Sequence, residues 1–339
     1  MPIFSAPIFS DSIPPQRRAL IIWLYSCCFM VFAMAVIGAI TRLTESGLSM
    51  VEWRPLIGAL PPLGEAEWQR VFALYQQTPE YIQKHSWMEI DDFKYIFFWE
   101  WFHRFWGRLI GLVYVLPLAY FWATKQIPKG YGWPFIGLLT LGGLQGVIGW
   151  WMVKSGLIDR PDVSHYRLAV HLSMAFILFC LLFWAARSLT FERRVSDLAP
   201  RGVRRMGWVA FGLLSITIVW GAFVAGLEAG MIYNTWPLMN GTLTPPEAFS
   251  LDAVINEHAW VQFSHRWVAI IAGLALIGFA IVRRAPYLGI MVLLQIALGI
   301  FALLSQLWIP MAAAHQAGAL ILLALMTNQL HALYYVHRK

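Results

Sequence analysis

Apolar residues along this chain gather into eight runs of about 20 residues, separated by short polar stretches and two long ones. The runs lie near Ala19–Ile40, Tyr95–Trp122, Gly132–Met152, Tyr166–Arg187, Met206–Gly226, Trp260–Val282, Pro286–Ser305 and Met311–Tyr334. A helix rises about 1.5 Å per residue, so each run is long enough to cross the hydrocarbon layer of a bilayer. The pattern predicts an all-α polytopic membrane protein with eight transmembrane helices. Composition agrees: 59% of the residues are hydrophobic and 13% charged, where a soluble domain carries about a quarter charged residues. The length of 339 residues would allow two globular domains, but the apolar runs decide otherwise.

The net charge of +7 is placed as a topology signal. Basic residues collect in alternate loops: Arg17 and Arg18; Lys125 and Lys129; Arg193, Arg194, Arg201, Arg204 and Arg205; Arg283 and Arg284; Arg338 and Lys339. The intervening loops hold most of the carboxylates, and residues 227–260 contain no Lys or Arg. The positive-inside rule then puts both termini in the cytoplasm and the long loops 43–94 and 227–259 outside. No nucleic-acid role follows from the basic excess. The N-terminal stretch has neither a signal-peptide plan nor an Arg-rich presequence, which points to a bacterial plasma (inner) membrane. Cys27, Cys28 and Cys180 fall inside spans, so no disulfide framework or thiolate metal site is expected.

The chain also repeats itself. Gly38-Ala39 followed by Glu45-Ser46-Gly47 answers Gly221-Ala222 followed by Glu228-Ala229-Gly230. Glu100-Trp-Phe-His103-Arg104 answers Gln262-Phe-Ser-His265-Arg266, Leu144-Gln145 with Gly149 answers Leu294-Gln295 with Gly299, and Ala169-Val-His171 answers Ala313-Ala-His315. Four anchors in one order predict two tandem four-helix bundles, residues 1–190 and 206–339, joined by a charged cytoplasmic linker at 191–205. An even number of spans per unit gives both copies the same orientation, hence a pseudo-two-fold axis along the membrane normal.

On this topology His103, His171, His265 and His315 share one depth, toward the outer face. Ionisable residues inside a bilayer are costly and usually functional. Two imidazoles from facing helices are a common way to hold a haem iron. Zinc fits less well, because no third ligand, HExxH motif or cysteine cluster is present. Arg104 and Arg266 suit haem propionates, which charge-assisted hydrogen bonds would neutralise. His85, His165 and His337 read as loop or tail residues. His258 opens a span seven residues before His265, and His331 has no inner partner.

The two copies differ at one telling position. Glu100 lies three residues before His103, on the same helical face, and its counterpart is Gln262. A carboxylate can handle a proton in a way that an amide cannot. The first half is therefore the better candidate for chemistry, and the second for a permanent haem.

These residues resemble haem A synthase. The resemblance covers nearly the whole chain, through residues 41–49 (TRLTESGLS), Glu100 to Arg104, Trp106-Gly-Arg-Leu109, Tyr166-Arg-Leu-Ala169 with His171, residues 232–239 (IYNTWPLM) and His265-Arg266. It is closest to the proteobacterial and mitochondrial branch, since the outer loops lack the paired cysteines of another branch. The resemblance implies two successive oxidations of the C8 methyl of haem O, with loss of water from the gem-diol to give the formyl group of haem A. It implies that His103 and His171 bracket the substrate haem with Glu100 as the essential carboxylate, and that His265 and His315 ligate a haem b cofactor. Expected partners are the haem O synthase (farnesyltransferase), cytochrome oxidase assembly factors and an unidentified electron donor or acceptor; homo-oligomerisation stays open. A di-haem electron-transfer protein or a haem carrier is the alternative. The long loop 43–94 is expected to cap the substrate site, and Glu45 and Glu228 to sit at helix ends or near a haem edge.

Overall fold

The computed structural model describes residues 14–53, 57–157, 160–193 and 198–337. The N-terminal stretch 1–13 and three residues of the topology argument, Arg194, Arg338 and Lys339, lie outside the described residues. Ten α-helices are present among the described residues: α1 Pro15–Leu43, α2 Glu65–Tyr75, α3 Ile90–Ala123, α4 Gly132–Lys154, α5 His165–Thr190, α6 Arg201–Gly226, α7 Ala253–Asn256, α8 His258–Val282, α9 Pro286–Leu304 and α10 Ile309–His331. Eight of them, all except α2 and α7, are long and apolar enough to cross a membrane. Every predicted span is matched by one of these helices. Two starts differ by five residues. α3 starts at Ile90, more than a turn before the apolar run, because Glu89 and Asp92 form a capping box that carries the helix into the polar layer. α6 starts at Arg201, since Pro200 fits the position just before a helix and the Arg-rich turn remains helical.

Neighbour relations recur in the two halves. α1 packs on α3 and α5, and α6 packs on α8 and α10; α4 joins α5 and α3 as α9 joins α10 and α8. Across the halves, α1 lies against α10 and α5 against α6. Gln316 of α10 fixes one of these contacts by donating to the Ala35 carbonyl of α1 at 2.8 Å. A two-stranded antiparallel ribbon, β1 (Phe191–Arg193) with β2 (Tyr335–His337), ties the chain after α5 to the chain after α10.

Several spans end alike. α1, α3 and α8 close with the next residue but one in the left-handed region, at Glu45 (φ 51°), Lys125 (φ 55°) and Arg284 (φ 51°). At each, paired N–H donors return to the last turn, as in Ser46 N to Thr41 O at 2.9 Å, Gln126 N to Phe121 O at 2.9 Å and Ala285 N to Ala280 O at 2.9 Å. Glu228 after α6 adopts the same conformation (φ 55°). The expected helix-end role of Glu45 and Glu228 is therefore realised.

The main hydrophobic core occupies one end of the bundle. It comprises the start of α1 (Leu20, Ile21, Leu24), the end of α5 (Phe179, Leu182, Leu189), the end of α8 (Leu276, Phe279) and the end of α10 (Met326, Leu330). This is the end where α1 begins and α10 finishes. Large apolar side chains elsewhere on the spans face outward, among them Phe29, Leu116, Leu144, Ile281 and Leu293, as lipid contact requires. His331 belongs to the packed end: it is fully buried, its Nε2 lies 3.1 Å from Ser188 Oγ, and its ring stacks on Tyr335 with centroids 4.0 Å apart.

Phe279 is fully buried and meets Gly207 of α6 so closely that a Cβ there would sit 3.0 Å from its ring. Phe279→Ala is expected to destabilise the protein by about 3–5 kcal/mol, read as a lower thermal midpoint in detergent. Phe301→Ala, at a lipid-facing position 59% exposed, should move it by less than about 0.5 kcal/mol.

Candidate functional site

His103, His171, His265 and His315 sit at the opposite end from the core, each packed on a glycine of a neighbouring helix. A Cβ on Gly38 (α1) would lie 3.3 Å from the His103 ring, on Gly149 (α4) 2.9 Å from His171, on Gly221 (α6) 3.3 Å from His265, and on Gly299 (α9) 2.8 Å from His315. Each glycine stands five residues before the last residue of its helix, Leu43, Lys154, Gly226 and Leu304. At about 1.5 Å per residue, the four rings share a level some 7–8 Å inside the helix ends. His103 and His171 stand at this level on α3 and α5 of the first half, and His265 and His315 on α8 and α10 of the second, two histidines to each half.

Behind two of the rings stands a glutamine of the repeat anchors. Gln145 Nε2 lies 3.2 Å from His171 Nδ1 and donates to the His171 carbonyl at 3.0 Å. Gln295 does the same for His315, at 3.2 Å and 2.9 Å. The glycines and glutamines of the repeat anchors are therefore the packing and bonding partners of the histidines. Their recurrence at fixed spacing was the signal that could have assigned them.

Outside each pair, the Arg after the first His clamps the segment that follows the preceding span. Arg104 donates to the Met50 carbonyl at 3.0 Å and the Glu52 carbonyl at 3.4 Å, and stacks over Trp53 at 5.2 Å. Arg266 donates to the Tyr233 carbonyl at 2.8 Å and the Thr235 carbonyl at 3.0 Å, with Trp236 at 5.9 Å. The two clamps match residue for residue, so the internal repeat extends through the outer segments. Arg266 Nε is buried without a partner.

Glu100 and Gln262 complete these clamps with opposite polarity. Glu100 is 3% exposed. Its Oε1 pairs with Arg104, and its Oε2 accepts from the Met50 amide at 2.6 Å and the Ser49 hydroxyl at 2.8 Å. Gln262 accepts from Arg266 at 3.1 Å but donates to the Tyr233 carbonyl at 3.3 Å. The carboxylate gathers donors from loop 43–94 where the amide must supply one. Ser49, the last residue of the 41–49 stretch, thereby joins the site through its bond to Glu100.

The loop 43–94 folds over this end of the first half. α2 and the following turn, Tyr81–His85, pack Phe72, Tyr75 and Met88 on Phe93, Ile96 and Phe97 of α3. His85, read from sequence as a loop residue, is buried here in a polar chain. The Tyr75 hydroxyl lies 2.7 Å from His85 Nδ1 and 2.9 Å from Glu80 Oε2, and His85 Nε2 lies 2.9 Å from Glu45 Oε2. The hydrogen bond from His85, with the nearby charges of Lys84 and Arg42, holds the Glu45 carboxyl below its usual range. Burial pushes Glu80 up to about 8, helped by the neighbouring carboxylates Glu100, Glu45 and Asp162. Lys84 binds Asp162 at 2.7 Å and Glu228 at 3.3 Å, and Arg42 binds Glu228 at 3.1 Å, so charges join the cap to both halves.

The remaining histidines separate from the pairs. His258 is exposed at the first residue of α8. His165 is the first residue of α5 rather than a loop residue, buried against Gly226 of α6 and Phe223. The side chain of His337 lies outside the described residues.

Two imidazoles per site without further ligands limit what the pairs can hold. Among the described residues no group of three or more His, Cys, Asp or Glu could hold a metal ion, which is unlike a protein zinc site. A haem iron takes its four equatorial ligands from the porphyrin and needs only two axial donors, so the donor set fits haem. Nδ1 of His265 and Nε of Arg266 are buried polar atoms without a hydrogen-bond partner among the described residues, which suits a polar group bound there.

Fold and site together define a multi-pass helical membrane protein with two histidine pairs at one level. The COX15-CtaA family model, described as cytochrome oxidase assembly protein, matches residues 21–327. The chain belongs to this family. It is 48% identical to a heme A synthase of Rhodospirillum centenum, over 96% of this chain and 92% of that one. It is also 47% identical to the heme A synthase of Maricaulis maris (92% and 95% covered) and 43% to that of Nitrosospira multiformis (90% and 91%).

The cap carries a pH dependence with a definite sign. Glu80 ionises near 4.5 when exposed and near 8 when buried. Its neutral form therefore stabilises the folded cap at low pH, and that contribution is lost as pH rises from about 4.5 to about 8. Limited proteolysis of loop 43–94 should accelerate between pH 6 and pH 9 in the wild type, whereas Glu80→Gln should flatten this change.

Proposed function

We propose that the protein is a haem A synthase, which oxidises the C8 methyl of haem O in two steps to a gem-diol that loses water to give the formyl group of haem A. The observation that carries this reading is the asymmetry between two otherwise matching histidine pairs: a buried carboxylate, Glu100, stands beside one and an amide, Gln262, beside the other. An electron carrier has no need of a carboxylate at only one site.

His103 and His171 would hold the substrate haem, and His265 and His315 a resident haem b. When bound, haem b supplies a one-electron relay. Every contact made to Glu100 comes from a donor, so this residue stands as an acceptor at the substrate site. Arg104 orients it and fixes the cap through Met50 and Glu52. Arg104 and Arg266 are also the propionate candidates. The unpartnered Nε of Arg266 supports that role in the second half, while in the first a propionate would share the guanidinium with Glu100. The cap of α2 and Tyr81–His85, closed on α3, would shield the reaction from water.

The same reading places the protein in a bacterial inner membrane, termini in the cytoplasm and both sites toward the outside, with the basic loops inward. The equal helix neighbours and clamps of the two halves support a pseudo-two-fold axis along the membrane normal. Exchange with the haem O synthase and with oxidase assembly factors is part of this proposal.

Deleting the gene should remove haem A from membranes and let haem O accumulate; persistence of haem A without haem O would overturn the reading. In the purified protein, Glu100→Gln should retain haem but lose conversion of haem O by at least about 100-fold, measured by extraction and chromatography of the haems. His265→Ala should lose haem b, and an unchanged haem b content and spectrum would refute that ligand.

A further inference from the structure

Four side chains in hydrogen-bond contact run through the cap, from Glu80 through Tyr75 and His85 to Glu45. Tyr75, Glu80 and His85 are buried, whereas the Glu45 side chain is 40% exposed. The chain therefore has an inner end at Glu80 and a wet end at Glu45. Its three contacts, 2.9 Å, 2.7 Å and 2.9 Å in that order, all lie within reach of direct proton transfer. Glu100 is one of the carboxylates that face the inner end.

The donors and acceptors fix how protons are shared along this chain. The Glu45 carboxylate accepts, so Nε2 of His85 carries a proton. The single hydroxyl proton of Tyr75 serves either His85 or Glu80, not both. When it goes to His85 Nδ1, Glu80 is neutral and donates to the phenol oxygen. When it goes to Glu80, that carboxyl is ionised and Nδ1–H of a charged His85 donates to the phenol. Both arrangements hold the same number of protons. One becomes the other as the Glu80 O–H bond breaks and a new Tyr75 O–H forms, while the old Tyr75 O–H breaks and Nδ1–H forms. His85 then passes its Nε2 proton to Glu45, which releases it to water, and the reverse sequence returns a proton to Glu80.

The surroundings suit this traffic. Burial pushes Glu80 up to about 8, against Glu100, Glu45 and Asp162 around it, so at neutral pH it holds a proton to give. Burial also pushes the Tyr75 phenol up, so it passes protons as a hydroxyl and holds no negative charge. At the wet end Lys84 and Arg42 stand beside Glu45 and keep it ionised with His85. Neighbouring buried carboxylates disfavour each other's charge. Glu80 can therefore release its proton when Glu100 gains one, and take one back when Glu100 loses it. We propose that Tyr75 and His85 are positioning residues of a proton relay between Glu80 and the water at Glu45, through which Glu80 balances the charge of Glu100 as the site turns over. The use made of the relay rests on the proposed function; the relay itself is built into the cap.

The experiment follows the infrared band of the buried neutral carboxyl as the full-length protein is transferred to heavy water. Wild type is compared with Glu80→Gln, Tyr75→Phe and His85→Ala. Loss of the band in Glu80→Gln assigns it. Its exchange should slow by about 100-fold in Tyr75→Phe and in His85→Ala, and imidazole in the buffer should restore it in the latter. A cap that had merely loosened would exchange faster, and limited proteolysis of loop 43–94 checks that it stays folded. Turnover of haem O should fall in the same two variants with KM unchanged. Exchange as fast in both variants as in the wild type would overturn the relay. Slowed exchange with unchanged turnover would overturn its link to Glu100. The expected exchange pattern in a wild-type protein that does not convert haem O would uphold the relay and refute the proposed function instead.

Discussion

The contact between an imidazole and a glycine on the next helix is the constraint on which the functional end of this protein depends. Any larger residue at Gly149 or Gly299 would place a carbon under 3.0 Å from the His171 or His315 ring, closer than packed atoms stand. The glycines let four polar rings enter the helix layer at one level without pushing the spans apart. They also explain why the hydrophobic core lies at the other end. Helices packed by Leu, Phe and Met around α1, α5, α8 and α10 hold the bundle together, so the histidine end is free to be shaped for ligands instead of for stability.

Above the histidines, two arginine clamps fasten the outer segments to the helices that carry His103 and His265. The clamps are alike in their carbonyl acceptors and their tryptophans. They differ where Glu100 faces Gln262. In the first half the carboxylate draws in the Met50 amide and the Ser49 hydroxyl, which binds the longer loop to the site. One substitution thus has two consequences: it puts a buried carboxylate beside one pair, and it reverses the hydrogen bonding of the segment above it. The cap then adds its own buried polar chain from Glu80 through Tyr75 and His85 to Glu45. Its ion pairs reach Glu228 in the other half, so the cover of one site is tied to a helix end of its neighbour.

Much of this was legible in the sequence because a bilayer imposes strong rules. Span number, the two units and the four histidines follow from apolar run length, repeat order and the cost of a polar ring in hydrocarbon. The repeat even displayed the glycines and glutamines that serve the histidines. What it could not display was their purpose, because Gln145 and His171 are 26 residues apart and meet only when α4 packs on α5.

The sequence by itself determined the eight spans and displayed the repeat anchors and the candidate ligands, since these depend on local composition and fixed spacing. Only the tertiary structure decided which polar atoms meet. It took His85 from an ordinary loop residue to a buried member of the cap, made His165 a helix start packed on Gly226, and showed Arg104 committed to a carboxylate and two carbonyls. Hydrogen bonds between distant segments have no periodic trace along a chain. They are set by how the helices come together, and that arrangement is where the function of this protein is specified.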